Sequence, residues 1–312
     1  MRVGVLGVGG VGGLVAALLS RAGDDVTCLA RESTVAILSE HGLRLTSEQF
    51  GTFSTRLEAA TRLSHPVDAC VVAVKAPDLD DALERLPPQV LGNALLVPLL
   101  NGFEHIDELR RRYPDANVVA AAMRVSASRT SPGDISHDSP FATIELASPP
   151  QRAPSSASPS AGSSRDALTR FAEHLRLAGF QVTVRDDEAG VLWQKLAFLA
   201  PLALLTTHEQ APAGVVRELR RDDLRSIIGE VAAVARAEGA PQNEQGVLDF
   251  FDSVPAAMQS SMQRDAAAGR PTELNAIGGA VVRCAARHGI AVPVTTRYVD
   301  ELGARASQRR AD

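Results

Sequence analysis

Gly7-Val8-Gly9-Gly10-Val11-Gly12 lies between an apolar run of strand type, Arg2 to Leu6, and a stretch from Val11 to Arg21 whose apolar residues recur at helical spacing. Glycines so spaced between a strand and a helix leave few folds open. Gly7 can take the tight turn, Gly9 puts no side chain between the backbone and a pyrophosphate, and Gly12 lets the helix lie close on the strand. Gly10 and Val11 open a helix whose free N–H groups and partial positive charge favour phosphate. A glycine-rich turn that binds nothing is the competing reading, and the second strand, Asp25 to Leu29, weighs against it. A dinucleotide-binding, Rossmann-type α/β domain is therefore predicted.

The residue after the second strand bears on which dinucleotide. An acid there holds a ribose 2′-hydroxyl, whereas an arginine suits a 2′-phosphate. Arg31 occupies that place, so NADP(H) is expected; the adjacent Glu32 keeps NADH open. Further along, Asp68 to Val74 and Ala94 to Leu100 are continuous apolar runs, as parallel strands covered on both faces require. Lys75 and Asn101-Gly102 follow them at the carboxyl ends, where open α/β sheets bind ligands. An exposed lysine and a plain Asn-Gly turn are the alternatives. Asn117 to Arg124, two strands within Ile135 to Ala147, and Phe180 to Arg185 complete the pattern, the last expected to return to the first sheet. Ser148 to Ser164, rich in Ser, Pro and Ala, is expected to be a mobile loop. Beyond Asp187 no strand pattern recurs, which predicts domains at 1–186 and 187–312, the second all-α.

A formal net charge of −5 and the absence of basic blocks interleaved with aromatics argue against a nucleic-acid partner. Arg305 to Arg310 is read as a solvated tail. Cys28, Cys70 and Cys284 form no C-x-x-C pair, so no metal site is expected. Met1 leads straight into a strand and no uninterrupted apolar run reaches the roughly 18 residues of a span. A cytoplasmic protein with no membrane partner is the expectation.

Lys195 stands out in a predicted helix from Asp187 to Thr206, because Val191, Leu192, Leu196, Phe198 and Leu199 surround it with apolar residues. Burial lowers a lysine pKa toward values at which it can donate and recover a proton; a lysine snorkelling to solvent is the alternative.

Taken with Gly7-x-Gly9-x-x-Gly12, Lys75, Asn101-Gly102, Trp193-x-Lys195-Leu196, Ser260 to Asp265, Gly269 to Glu273 and His288 to Pro293, the chain resembles the ketopantoate reductase family. The resemblance implies a helical C-terminal domain of the 6-phosphogluconate dehydrogenase type and NADPH-dependent reduction of a 2-oxo acid, ketopantoate first. It implies Lys195 as general acid, Glu273 holding it and the substrate beside the cofactor, and Ser261 on the substrate carboxylate. Asn101 and Lys75 would line the nicotinamide side of a cleft between the domains, and Arg31 would read the 2′-phosphate. Two positions depart from the family. Leu199 and Ala203 stand where asparagines usually share the lysine's helix face, so the substrate-binding stripe turns apolar. That leaves open a family member with a less polar substrate, or a non-catalytic NADP(H)-binding sensor. Asn275, where the family tends to aspartate, is expected only to retune a hydrogen bond at a helix start. The expected partner is a small-molecule 2-oxo acid, with a homodimer as an open alternative to a monomer.

Overall fold

The computed structural model describes residues 1–148 and 161–311, which divide into two compact units. One comprises Met1–Leu100 and His105–Val191; the other comprises Asn101–Glu104 and Leu192–Asp312.

The first unit is built on a six-stranded, all-parallel sheet of Arg2–Leu6, Asp25–Leu29, Glu58–Ala60, Ala69–Val72, Leu95–Pro98 and Asn117–Val118. Numbered in that order, the strands lie in space as 3-2-1-4-5-6, the doubly wound order of dinucleotide-binding sheets. Ala69–Val72 and Leu95–Pro98 are buried at every position, which explains why they read as unbroken apolar runs. Helix Gly10–Arg21 packs on one face, burying Leu14, Val15, Leu18 and Leu19 completely.

Two smaller sheets complete this unit. Leu43–Ser47 and Gly51–Thr55 form a hairpin whose first strand also pairs with Asp134–His137, which in turn pairs with Ala127–Ser131. Thr143–Ala147 lies between Ala120–Arg124 and Gln181–Arg185. Gln181–Arg185 thus does not return to the first sheet as expected. Thr143–Ala147 offers it a parallel partner in full register, while the six-stranded sheet ends at Asn117–Val118. Of Ser148 to Ser164, read as a mobile loop, residues 149–160 lie outside the described residues, and the expectation fails for 161–164. From Ala161 the chain is already helical, to Leu177.

The second unit is helical: Glu188–Glu209, Ala213–Leu219, Arg221–Ala237, Glu244–Ser253, Ser261–Ala267, Ala280–Arg287 and Pro293–Ala311, with a five-residue π turn at Asn275–Gly279. Glu188–Glu209 has the length and mean hydropathy, 1.4, of a membrane span, although charged residues interrupt its apolar run; 67% of its apolar window is buried inside the protein, as a core helix requires. Pro293–Ala311 revises the expectation of an arginine-rich tail. Arg305 donates to the His208 carbonyl at 2.8 Å and Arg309 to the Ala266 carbonyl at 2.8 Å, so these arginines tie the last helix down.

Candidate active site

At Gly7, Gly10 and Gly12 the glycine loop is set by close contacts that admit nothing larger. Gly7 has φ +95°, the left-handed region that favours glycine, and its N–H donates to the Leu29 carbonyl at 3.1 Å. A Cβ at Gly12 would lie 1.9 Å from the Gly7 carbonyl oxygen, and one at Gly10 would lie 2.3 Å from that of Ala127. Gly10 therefore holds the helix against strand Ala127–Ser131, a role with no signal in the motif itself. A Cβ at Gly9 would meet nothing within 4 Å. The backbone is thus bare and open at the residue before the helix, which fits a pyrophosphate on the helix N-terminus.

Beyond the second strand, Ala30, Arg31, Glu32, Thr61, Arg62, Asp81, Glu84 and Arg85 line an open pocket of about 400 Å³. Arg31 is exposed and ion-paired with Asp78 at 3.5 Å and Asp81 at 3.8 Å, both exposed too. Such pairs hold weakly in water, so a phosphate can take over the guanidinium. Arg62 and Arg85 were not foreseen from the sequence. They lie far from the glycine loop in the chain: strand 3, pairing with strand 2, brings Arg62 near Arg31, and the Leu63 N–H, donating to the Arg85 carbonyl at 2.9 Å, joins the Arg85 segment to it. Lys75 is exposed just past strand Ala69–Val72, where it precedes a 3₁₀ turn at Ala76–Asp78.

In the helical unit, Asn101 Nδ2 donates to Glu273 Oε2 at 2.9 Å, joining residues 172 apart in sequence. Glu273 is buried, 6% exposed, and its carbonyl accepts from the N–H groups of Ala276 and Ile277 as the π turn begins. Gly102, at φ +83°, brings the Asn101 turn against this segment: a Cβ there would lie 2.2 Å from the Ala276 carbonyl oxygen. Asn275 accepts from Arg283 at 2.6 Å, and Arg283 also grips Glu104 at 3.0 and 2.6 Å. That corrects the expected role of Asn275: its side chain serves Arg283, eight residues on in the helix that the π turn runs into, and not a helix start. Bonding to Glu104 holds the Arg283 guanidinium above its ordinary pKa.

Helix Glu188–Glu209 carries Lys195, half-buried, with Leu199, half-buried, and Ala203, fully buried, one and two turns on. Trp193 is buried against Phe103, ring centroids 4.9 Å apart. Phe198 is half-buried and meets Phe250 edge-on at 4.7 Å, and Phe250 itself is 50% exposed. Besides the Trp193–Phe103 pair, further contacts connect this helix to the other site elements. A Cβ at Gly278 would lie 2.9 Å from Leu204 Cδ2, so the π turn packs directly on the helix. Thr206 Oγ1 meets Ser260 Oγ at 2.9 Å, and Ser260 caps helix Ser261–Ala267 by accepting from the Gln263 N–H at 3.0 Å. Ser260 is committed to structure, whereas Ser261 is half-buried at the first turn.

Comparison with known proteins places these features in a lineage. The family model described as ketopantoate reductase PanE/ApbA matches residues 3–151, and that of its C-terminal domain matches residues 189–306. A 2-dehydropantoate 2-reductase of Mycobacterium tuberculosis is 30% identical over 312 residues, covering 97% of each chain. The uncharacterised oxidoreductase YkpB of Bacillus subtilis is 27% identical over 300 residues, covering 94% of this chain and 95% of that one. A solved ternary structure of D-mandelate dehydrogenase with NADH and anilino(oxo)acetate shares the fold at TM-score 0.88 and 20% identity, over 99% of this chain and 100% of that one.

Proposed function

This chain belongs to the ketopantoate reductase family, a family of oxidoreductases, and from that premise we propose that it reduces the carbonyl of a 2-oxo acid at the expense of NADPH. Residues 1–186 are assigned to the cofactor and 187–312 to substrate and catalysis. The observation that carries the reading is the buried Glu273 fixed by Asn101, on a turn that packs against the helix of Lys195.

The open backbone at Gly9 would receive the pyrophosphate, and Arg31, supported by Arg62 and Arg85, the 2′-phosphate. A bound, reduced nicotinamide would supply the hydride. The Lys195 ammonium stabilises the negative charge that builds on the substrate oxygen and delivers the proton. Glu273, held through Oε2 by Asn101, keeps that ammonium charged and aimed. Ser261 takes the substrate carboxylate, and Lys75 the nicotinamide side of the cofactor. The leading substrate is 2-dehydropantoate (ketopantoate), reduced to pantoate as in pantothenate biosynthesis.

A second reading has its own observation. Leu199 and Phe198 are partly exposed beside Lys195, and Phe250 extends them with a half-exposed ring. Such a surface favours a 2-oxo acid with an apolar side chain over one with a hydroxyl to satisfy. NADPH oxidation followed by absorbance, with ketopantoate beside phenylpyruvate and 2-oxoisovalerate, separates the two. Leu199→Asn is expected to shift the kcat/KM ratio toward ketopantoate by about tenfold, the worth of one added hydrogen bond. Turnover with no member of the panel would reject the reductase reading.

Arg31→Ala should weaken NADPH binding at least tenfold and leave NADH binding nearly unchanged, since a lost charge-assisted contact to phosphate is worth about 1.5–3 kcal/mol. Fluorescence titration of both reduced cofactors measures this; equal losses would remove the 2′-phosphate role.

A further inference from the structure

Glu238, Cys284 and His288 meet in the helical unit, and none of the three has a part in the proposed reaction. Cys284 lies in the last turn of helix Ala280–Arg287 and His288 caps it, so the i, i+4 spacing puts sulfur and imidazole on one face. Glu238 caps helix Arg221–Ala237. Its Oε1 lies 3.2 Å from Cys284 Sγ and 2.5 Å from His288 Nε2, and the three donor atoms all fall within 4.8 Å of one another. Cys284 is fully buried, while His288 is about a third exposed and opens the trio to solvent.

We propose that these three side chains form a binding site for a divalent zinc-class ion, which clips the two helices together. A thiolate, an imidazole and a carboxylate are the donor set a borderline-soft ion takes, and three protein ligands leave the fourth position to water. Tetrahedral zinc with bonds of about 2.0–2.3 Å holds its donors about 3.3–3.6 Å apart. The sulfur–oxygen distance is already near that value; a rotation of the solvent-facing imidazole must both lengthen the nitrogen–oxygen distance to it and bring to it the nitrogen–sulfur distance, which is up to 4.8 Å. Both helices end here, so two sets of terminal carbonyls add negative potential. An acid at a helix C-terminus is otherwise misplaced, and a cation reverses the penalty. Among the surrounding charges Glu104 adds to the attraction, Arg287 opposes it, and Arg283 is already held by Glu104. The His288 hydrogen bond keeps Glu238 below the usual carboxylate range, ready to ligate. Burial, with the carboxylate's help, pushes the Cys284 thiol up to about 12, so the ion must release its proton to solvent on binding.

The test uses untagged full-length protein. Zinc titrated in competition with a chromophoric chelator should bind at one equivalent per chain, and cobalt should give a thiolate charge-transfer band. The melting temperature should rise by several degrees with zinc. Cys284→Ser and Glu238→Gln should each lose the stoichiometric ion, the cobalt band and the zinc-dependent rise. Should a variant fail to fold, the wild-type cobalt spectrum decides alone. Absence of the thiolate band, absence of a tight equivalent, or zinc retained by Cys284→Ser overturns the site.

Discussion

Lys195→Ala is expected to lower kcat for 2-oxo acid reduction by about 10²–10⁴-fold, the range over which a positioned general acid acts. NADPH affinity should hold, because the residues assigned to the phosphates lie elsewhere in the chain. Lys195 is half-buried on a helix whose neighbouring turns carry Trp193, Leu196 and Leu199. Truncation there removes a charge without opening a large cavity, so loss of fold is not the expected cause of lost turnover. Stopped-flow or steady-state NADPH oxidation gives kcat, and fluorescence titration gives cofactor affinity. A sensor that binds cofactor without reducing anything would respond to ligand equally well with alanine at 195. An undiminished kcat would therefore take the general-acid role away from Lys195, whereas a parent protein that binds NADPH and turns over no 2-oxo acid would fit the sensor.

Two glycines in one loop should fail in different ways. Gly12→Ala places a methyl 1.9 Å from the Gly7 carbonyl oxygen, and neither partner can yield without moving the strand-to-helix turn. Overpacking of this kind costs about 1–3 kcal/mol, which in a unit of this size lowers the melting temperature by about 2–12 °C. Gly9→Ala meets nothing within 4 Å, and Gly9 has φ −89°, which any residue adopts. It should melt like the parent yet bind NADPH at least tenfold more weakly, because its methyl fills the space assigned to the pyrophosphate. Calorimetry and cofactor titration on the pair read the two effects apart. Equal cofactor affinity in Gly9→Ala and the parent would move the dinucleotide off this loop.

The sequence reading succeeds where structure is local. A strand, a glycine turn and an amphipathic helix are each written within a few residues, and buried parallel strands announce themselves by unbroken apolar runs. The α/β and all-helical division follows from where such runs stop. Partner choice between strands is written nowhere locally: Gln181–Arg185 looks like any sheet strand, and only pairing with Thr143–Ala147 assigns it to a third sheet. Site residues separate in the same way. Lys195 is conspicuous among leucines and Gly9 by its motif, but Arg62 and Arg85 join Arg31 only through the fold. Cys284-x-x-x-His288 carries no familiar signature, and its third partner comes from 46 residues upstream. Arg305 and Arg309, read as a tail from charge alone, find carbonyls that the charge pattern cannot name.

The π turn at Asn275–Gly279 bears on how such a site changes over time. Each residue of an α-helix advances about 100° around its axis, so one inserted residue resets the angular phase of all that precedes it against all that follows. Glu273 lies before the bulge and Arg283 after it. Their mutual heading is therefore governed by how many residues lie between them as well as by which residues those are. Drift in letters at 276 or 277 can leave the heading intact, whereas a one-codon deletion would swing the carboxylate off its bearing at a stroke. In this protein the ruler is as much a part of the proposed site as the side chains it aims.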